Sequence, residues 1–186
     1  MRVLTIVVSL LLAVTGLWAT PTLNGDTVTV NYFSPDLSSL MATQDVFVGP
    51  PLPEVTCSAF GSGVCSVFVE PGTISIHDLS IIVTEDAGNV YATEPFNGFQ
   101  FTGLDFGDGS TLTGFNLTTD LPGLTASNVS FTANSIAFNA SGLSFMDAPY
   151  TVELDLVTSS SAPEPGAFLL LGSGLLTIGL MHRRRR

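Results

Sequence analysis

The sequence predicts an all-β protein built on a single antiparallel β-sandwich domain, and three observations carry that expectation. Apolar and polar residues alternate with period two through most of the body of the chain, the period of a strand with one buried face. Turn formers break the alternation at a spacing of roughly ten residues, as in sandwiches and barrels. Ser, Thr, Val and Phe are abundant, strong helix formers are scarce, and no stretch of the body carries a helical apolar stripe.

The elements follow in order. Thr27–Tyr32 alternates, Val64–Val69 does so in part, and Thr73–Ile76 and Gly98–Phe101 are short but regular. Asn128–Thr132 and Ser135–Asn139 form a pair around Ala133-Asn134, and Tyr150–Leu156 is the clearest alternation of all. Breaks fall at Pro50-Pro51, Gly61-Ser62-Gly63, Ala87-Gly88-Asn89, Gly107-Asp108-Gly109 and Leu121-Pro122-Gly123. About nine or ten strands fit this spacing. Inward positions are expected at Val28, Val30, Phe68, Ile74, Ile76, Ile81, Val83, Phe99, Phe101, Phe115, Val129, Phe131, Ile136, Phe138, Val152, Leu154 and Leu156. A likeness between Leu112–Leu117 and Phe138–Leu143 is compositional and is not read as a repeat.

Charge is distributed in an unusual way. The chain has 186 residues and five basic ones, Arg2 and Arg183 to Arg186, with no lysine. Of its 16 carboxylate residues one is Glu164, which leaves 15 between Thr20 and Ala162 and a formal charge of −15 for that stretch. No Lys or Arg ion pair can form there. Nucleic acid and anionic membrane surfaces are disfavoured partners, since both are held by cations. The carboxylates are dispersed, which reads as an acidic surface kept soluble by self-repulsion or screened by external Ca²⁺.

Few residues suggest chemistry. Asp105-Phe106-Gly107-Asp108-Gly109 could present Asp105 and Asp108 to Ca²⁺ from a tight loop, but it lacks the ligand ladder of an EF-hand. A plain β-turn is the competing reading, and no cofactor is otherwise implied. Glu85-Asp86 is read as a hairpin tip. His77 is the single histidine between Thr20 and Ala162; it follows a strand and is expected at the rim. No Gly-x-Ser-x-Gly elbow accompanies it, paired carboxylates for glycoside chemistry are not singled out by spacing, and no catalytic residue is assigned. The one tryptophan, Trp18, precedes the body, so sugar stacking would fall to Tyr32, Tyr91, Tyr150 or phenylalanines. Cys57 and Cys65 flank Gly61-Ser62-Gly63, which suits a disulfide across two adjacent strands of a short hairpin.

The two ends read as addresses. Arg2 followed by the apolar run Val3–Leu17 has the form of a secretory signal peptide with cleavage after Ala19; an uncleaved N-terminal anchor is the alternative. The organisation is then residues 1–19 signal peptide, 20–157 sandwich domain, 158–162 Ser-rich linker and 163–186 tail. In the tail, Pro163-Glu164-Pro165 is held extended by its prolines. Gly166 to Met181 carries no charge, spans about 24 Å as a helix, and is slightly short of a ~30 Å hydrocarbon core. Arg183, Arg184, Arg185 and Arg186 follow and fix the C-terminus on the cytoplasmic side.

That order of motif, short Gly/Leu-rich helix and terminal arginines resembles the PEP-CTERM sorting signal of Gram-negative bacteria. The resemblance covers Ala162 to Arg186. It implies transient inner-membrane insertion, recognition by a membrane-embedded exosortase, and release to the cell surface or the extracellular polysaccharide matrix. A structural or adhesive, non-enzymatic role is the expectation there. A carbohydrate-binding module, with or without Ca²⁺, and a permanently membrane-anchored surface protein are the alternatives.

Overall fold

Alternation becomes pleat wherever one side of a strand is buried, and the described residues form twelve strands. They are β1 (Thr27–Phe33), β2 (Leu40–Phe47), β3 (Val55–Cys57), β4 (Gly72–His77), β5 (Ser80–Glu85) and β6 (Asn89–Val90), then β7 (Gly98–Thr102), β8 (Leu112–Thr119), β9 (Val129–Thr132), β10 (Ser135–Asn139), β11 (Ser144–Phe145) and β12 (Tyr150–Thr158). The computed structural model describes residues 20–146 and 149–159. The expected signal peptide, the sorting motif Pro163-Glu164-Pro165, the apolar run from Gly166 to Met181 and the arginines lie outside the described residues.

Every strand pair is antiparallel. One five-stranded sheet runs β2-β1-β7-β10-β9 and a second runs β3-β4-β5-β12-β8, with a small β11-β6 pair beside them. The architecture is sandwich-like, with the inward faces of both sheets supplying one core. Val28, Val30, Phe99, Phe101, Ile136 and Phe138 point in from the first sheet; Ile74, Ile76, Ile81, Val83, Val152, Leu154 and Leu156 point in from the second.

The centre of the core is aromatic. Phe99, on the middle strand of its sheet, meets Tyr32 edge-on at 4.9 Å and packs at 5.5 Å from Phe138 and 5.6 Å from Phe68. Gly98 precedes it because the backbone of β10 comes too close for any side chain; a Cβ there would lie 2.1 Å from the Phe138 carbonyl oxygen.

Several expectations need correction. Val64–Val69 is not a strand: Gly63–Val67 is a short 3-10 helix. Gly63, at φ +59°, lets the chain turn, and the Cys65 and Phe68 N–H groups then bond back to Ser62 and Cys65. The Cys57–Cys65 disulfide is present with Cα atoms 5.0 Å apart, but it joins β3 to this helix rather than two strands of a hairpin. Phe131 is 41 % exposed and outside the core. It sits on edge strand β9, beyond the cover of the facing sheet, and touches only the half-buried Phe115 of the facing edge among aromatic rings. Phe115 and Val129 are partly buried for the same reason. The strand count exceeds expectation because β2, β3 and the two-residue β6 and β11 carry little alternation of their own.

Two substitutions separate centre from edge. Phe99→Ala is expected to lower the unfolding free energy by about 3–5 kcal/mol through lost burial and an unfilled cavity. Phe131→Ala, which removes one edge-on aromatic contact, should cost about 1 kcal/mol. Urea unfolding of both variants checks the order, and equal losses would contradict this placement of the core.

Candidate functional site

The hairpin joining β4 to β5 turns on Asp78, whose φ of +47° lies in the left-handed region that Asp tolerates better than most residues. Its neighbours pin that turn. Asn24 Nδ2 donates to Asp78 Oδ1 at 2.7 Å, the Asp78 N–H donates to Asn24 Oδ1 at 3.1 Å, and the Leu23 N–H donates to the Asp78 carbonyl at 2.8 Å. This tie lashes the first described segment to the end of the sandwich. Beside it opens a groove of about 530 Å³, walled by Phe47, Val48, Pro50 and Leu52 and bordered by Asn24, His77 and Asp78. Phe47 and Leu52 are both more than half exposed.

The groove is therefore an apolar wall with an imidazole, a carboxamide and a carboxylate on its rim, within the usual size range of small-molecule clefts. His77 is the last residue of β4, half-buried and at the rim, as its sequence position suggests. Its Nδ1 atom is buried and meets no hydrogen-bond partner. A catalytic triad orients its histidine through a carboxylate on that nitrogen, and none is there. The geometry offers recognition surfaces and no oriented base. Asn24, Phe47 and Leu52 were not singled out from the sequence. They come from three separate loops and strand ends, and only the fold brings them together.

Asp105 and Asp108 are each occupied locally. Asp105 Oδ1 accepts from the Gly107 N–H at 3.0 Å, and Asp108 Oδ1 accepts from the Ser110 N–H at 2.8 Å. Hydrogen bonds from Ser110 hold the exposed Asp108 carboxyl below its usual value. These are Asx turns, with Gly107 and Gly109 both at positive φ. Among the described residues no three His, Cys, Asp or Glu side chains cluster as a metal site would require.

Glu85 is not a hairpin tip. It closes β5 with its side chain on the same face as Ile81 and Val83, and it is 3 % exposed. The shared parity with those two residues was the signal in the sequence. Its Oε1 accepts from the Val69 N–H at 3.0 Å, the Glu70 N–H at 3.3 Å and Asn89 Nδ2 at 3.3 Å. Tyr150 donates to Oε2 at 3.5 Å, and the Tyr91 and Tyr150 hydroxyls lie 2.7 Å apart. A phenol has one proton; with that of Tyr150 directed at the carboxylate, Tyr91 must donate to Tyr150. Burial pushes the Glu85 carboxyl above its ordinary value, against the pull of the donors from Glu70, Val69, Asn89 and Tyr150. Burial also drives the Tyr91 and Tyr150 phenols upward, with the neighbouring Glu85 charge adding to it.

No family model, curated protein or solved structure matches this chain.

The raised Glu85 value fixes a sign. A folded-state value above the unfolded one means the group favours folding at low pH, and that contribution is lost as pH rises through the folded value. Asp36 and Asp108, both lowered by hydrogen bonds, contribute in the opposite sense and lose their contribution as pH falls. Glu85→Gln keeps an acceptor for the Val69 and Glu70 N–H groups and removes the buried charge. It should stabilise the protein at pH 7 by on the order of 1 kcal/mol and leave it unchanged at pH 4. Glu85→Ala strands both N–H groups and should cost about 2 kcal/mol at either pH. Urea unfolding at the two pH values reads both effects, and a Gln variant less stable at pH 7 than at pH 4 relative to wild type would contradict the assignment.

Proposed function

We propose that the protein is exported and sorted through Pro163-Glu164-Pro165, and that its body serves as a structural or adhesive component of the cell surface or extracellular matrix. The observation that carries this reading is the tail itself: a proline-held acidic motif, an uncharged run and a terminal arginine block, in that order. An exosortase-type membrane protease is the processing partner this implies, with transient inner-membrane insertion before release.

Further features support it. All five basic residues lie in the two end segments, where they orient insertion, and the body has none. A disulfide closes β3 onto the 3-10 helix, in keeping with an oxidising compartment. The expected linker begins at Thr158, but Thr158 closes β12; the Ser-rich stretch after it is the spacer that, on this reading, keeps the motif within reach of a protease.

The groove beside Asp78 favours a second reading, a carbohydrate-binding module. The exposed Phe47 ring offers a stacking wall, and Asn24 and Asp78 set polar groups beside it. On that reading Phe47→Ala abolishes retention of the body on the host's extracellular polysaccharide.

Mass spectrometry of the protein in its native host tests the sorting reading. The expected product begins near Thr20, ends in the region of Pro163 to Pro165, and is recovered outside the inner membrane. A C-terminus at Arg186 in the membrane fraction would make the tail a permanent anchor and would overturn sorting.

A further inference from the structure

Sheet edges expose unpaired N–H and C=O groups, and proteins protect them with charge, proline, bulges, brevity or a covering segment. Three of the four edges here carry such protection. Edge strand β2 bears Asp45, and the Gly63–Val67 helix packs against it. Edge strand β3 is three residues long and ends at the disulfide. Edge strand β9 is four residues long.

The fourth edge is different. β8 spans eight residues, Leu112–Thr119, with neither charge nor proline, and its one ladder is to β12. An irregularity and a bond from the Leu112 N–H to the Ala133 carbonyl occupy its first turn of chain. From Phe115 to Thr119 no strand is hydrogen-bonded to its outer side among the described residues, although edge strand β9 of the facing sheet comes close and sets Phe131 against Phe115. The surroundings are neutral as well: between Asp108 and Asp147 the sequence carries one carboxylate, Asp120, and no base. This is a gap in a body that is otherwise studded with carboxylates.

We infer that β8 is an interaction edge and that its partner is β8 of a second copy of this chain, paired antiparallel about a two-fold axis. The occupant follows from charge. Any surface of a polyanion repels its own copy unless the contact is neutral and the carboxylates are kept apart. Asp120 follows the strand directly, and with the two-fold at Leu117 it lies about 20 Å from its copy; Glu153 and Asp155 sit on β12 opposite Thr118 and Asn116. In a β12-β8-β8-β12 arrangement the two β12 strands are three strand spacings apart, about 14 Å, which exceeds the ~8 Å screening length at physiological ionic strength. Pairing through β2 would instead place Asp45 and its copy on directly facing strands. The two-fold joins both five-stranded sheets into one of ten strands, and the added strand shields the half-buried Phe115 beside it. A short strand pair buries less than a standard interface, so the dimer is weak and suited to the high local concentration of a membrane or matrix. The inference does not rest on the sorting reading.

The test uses the full chain in membranes, with one added cysteine and a short bis-maleimide; Cys57 and Cys65 are already bonded to each other and do not react. Asn116→Cys and Thr118→Cys should each give a covalent dimer, in higher yield as salt rises, while Thr43→Cys on β2 gives little. Adding Thr118→Glu to Asn116→Cys sets like charges opposite one another and should lower the yield about five-fold, with the native disulfide still closed to maleimide. No dimer from either β8 position, an equal dimer from Thr43→Cys, or cross-links only to other proteins would overturn the inference.

Discussion

The body of this protein must hold every carboxylate without a single lysine or arginine, and much of its loop structure is the answer to that constraint. Neutral donors take the place of cations. Glu85 gathers two backbone N–H groups, a carboxamide and a phenol around one buried carboxylate. Glu54 Oε2 accepts the Ile76 N–H at 2.8 Å at the start of β3, and Asp26 accepts the N–H groups of Thr27 and Asp105. Asp120 accepts the Thr151 N–H and Asp78 accepts the Asn24 carboxamide. Each acid therefore organises a turn or strand end, which an ion pair between two long flexible side chains would do less well. The arrangement also has a cost: self-repulsion acts over the whole surface and is opposed only by the core.

That core is the second half of the account. Interdigitated aromatics around Phe99 and aliphatic rows on the inner faces of both sheets supply the cohesion, and the disulfide restrains the Gly63–Val67 helix. Self-repulsion opposes association of so acidic a body except where its surface is neutral. The β8 flank is such a place, and the groove beside Asp78 is an apolar concavity that combines exposed Phe47 and Leu52 with polar rim groups. Both are features that the proposed surface or matrix role would use.

The sandwich was legible because most inner-facing strands alternate cleanly. Tyr150–Leu156 and Ser135–Asn139 show this best, and Val152, Leu154, Ile136 and Phe138 all lie buried. The sequence misleads where the fold overrides period two. β2 has Gln44 between its inward Ala42 and Val46, so its alternation is faint. Val64–Val69 alternates but is held in a 3-10 helix by its glycine turn. Phe131 has the right parity and the wrong place, at an edge. Glu85 kept the parity of Ile81 and Val83, yet its charge argued for a tip; only the donors from Val69, Glu70, Asn89 and Tyr150 make its burial tolerable. The groove could not have been read, since Asn24, Phe47 and His77 meet only through tertiary structure.

The constraint itself is most directly tested by the unfolding free energy of the body, residues 20–159, as a function of sodium chloride at pH 7 and pH 4. If uncompensated carboxylates govern its stability, salt should stabilise the fold at pH 7 by on the order of 1 kcal/mol between dilute buffer and about 0.5 M, by screening repulsion. The effect should largely vanish at pH 4, where much of the charge is gone. A protein indifferent to salt at pH 7, or destabilised by it, would contradict the account.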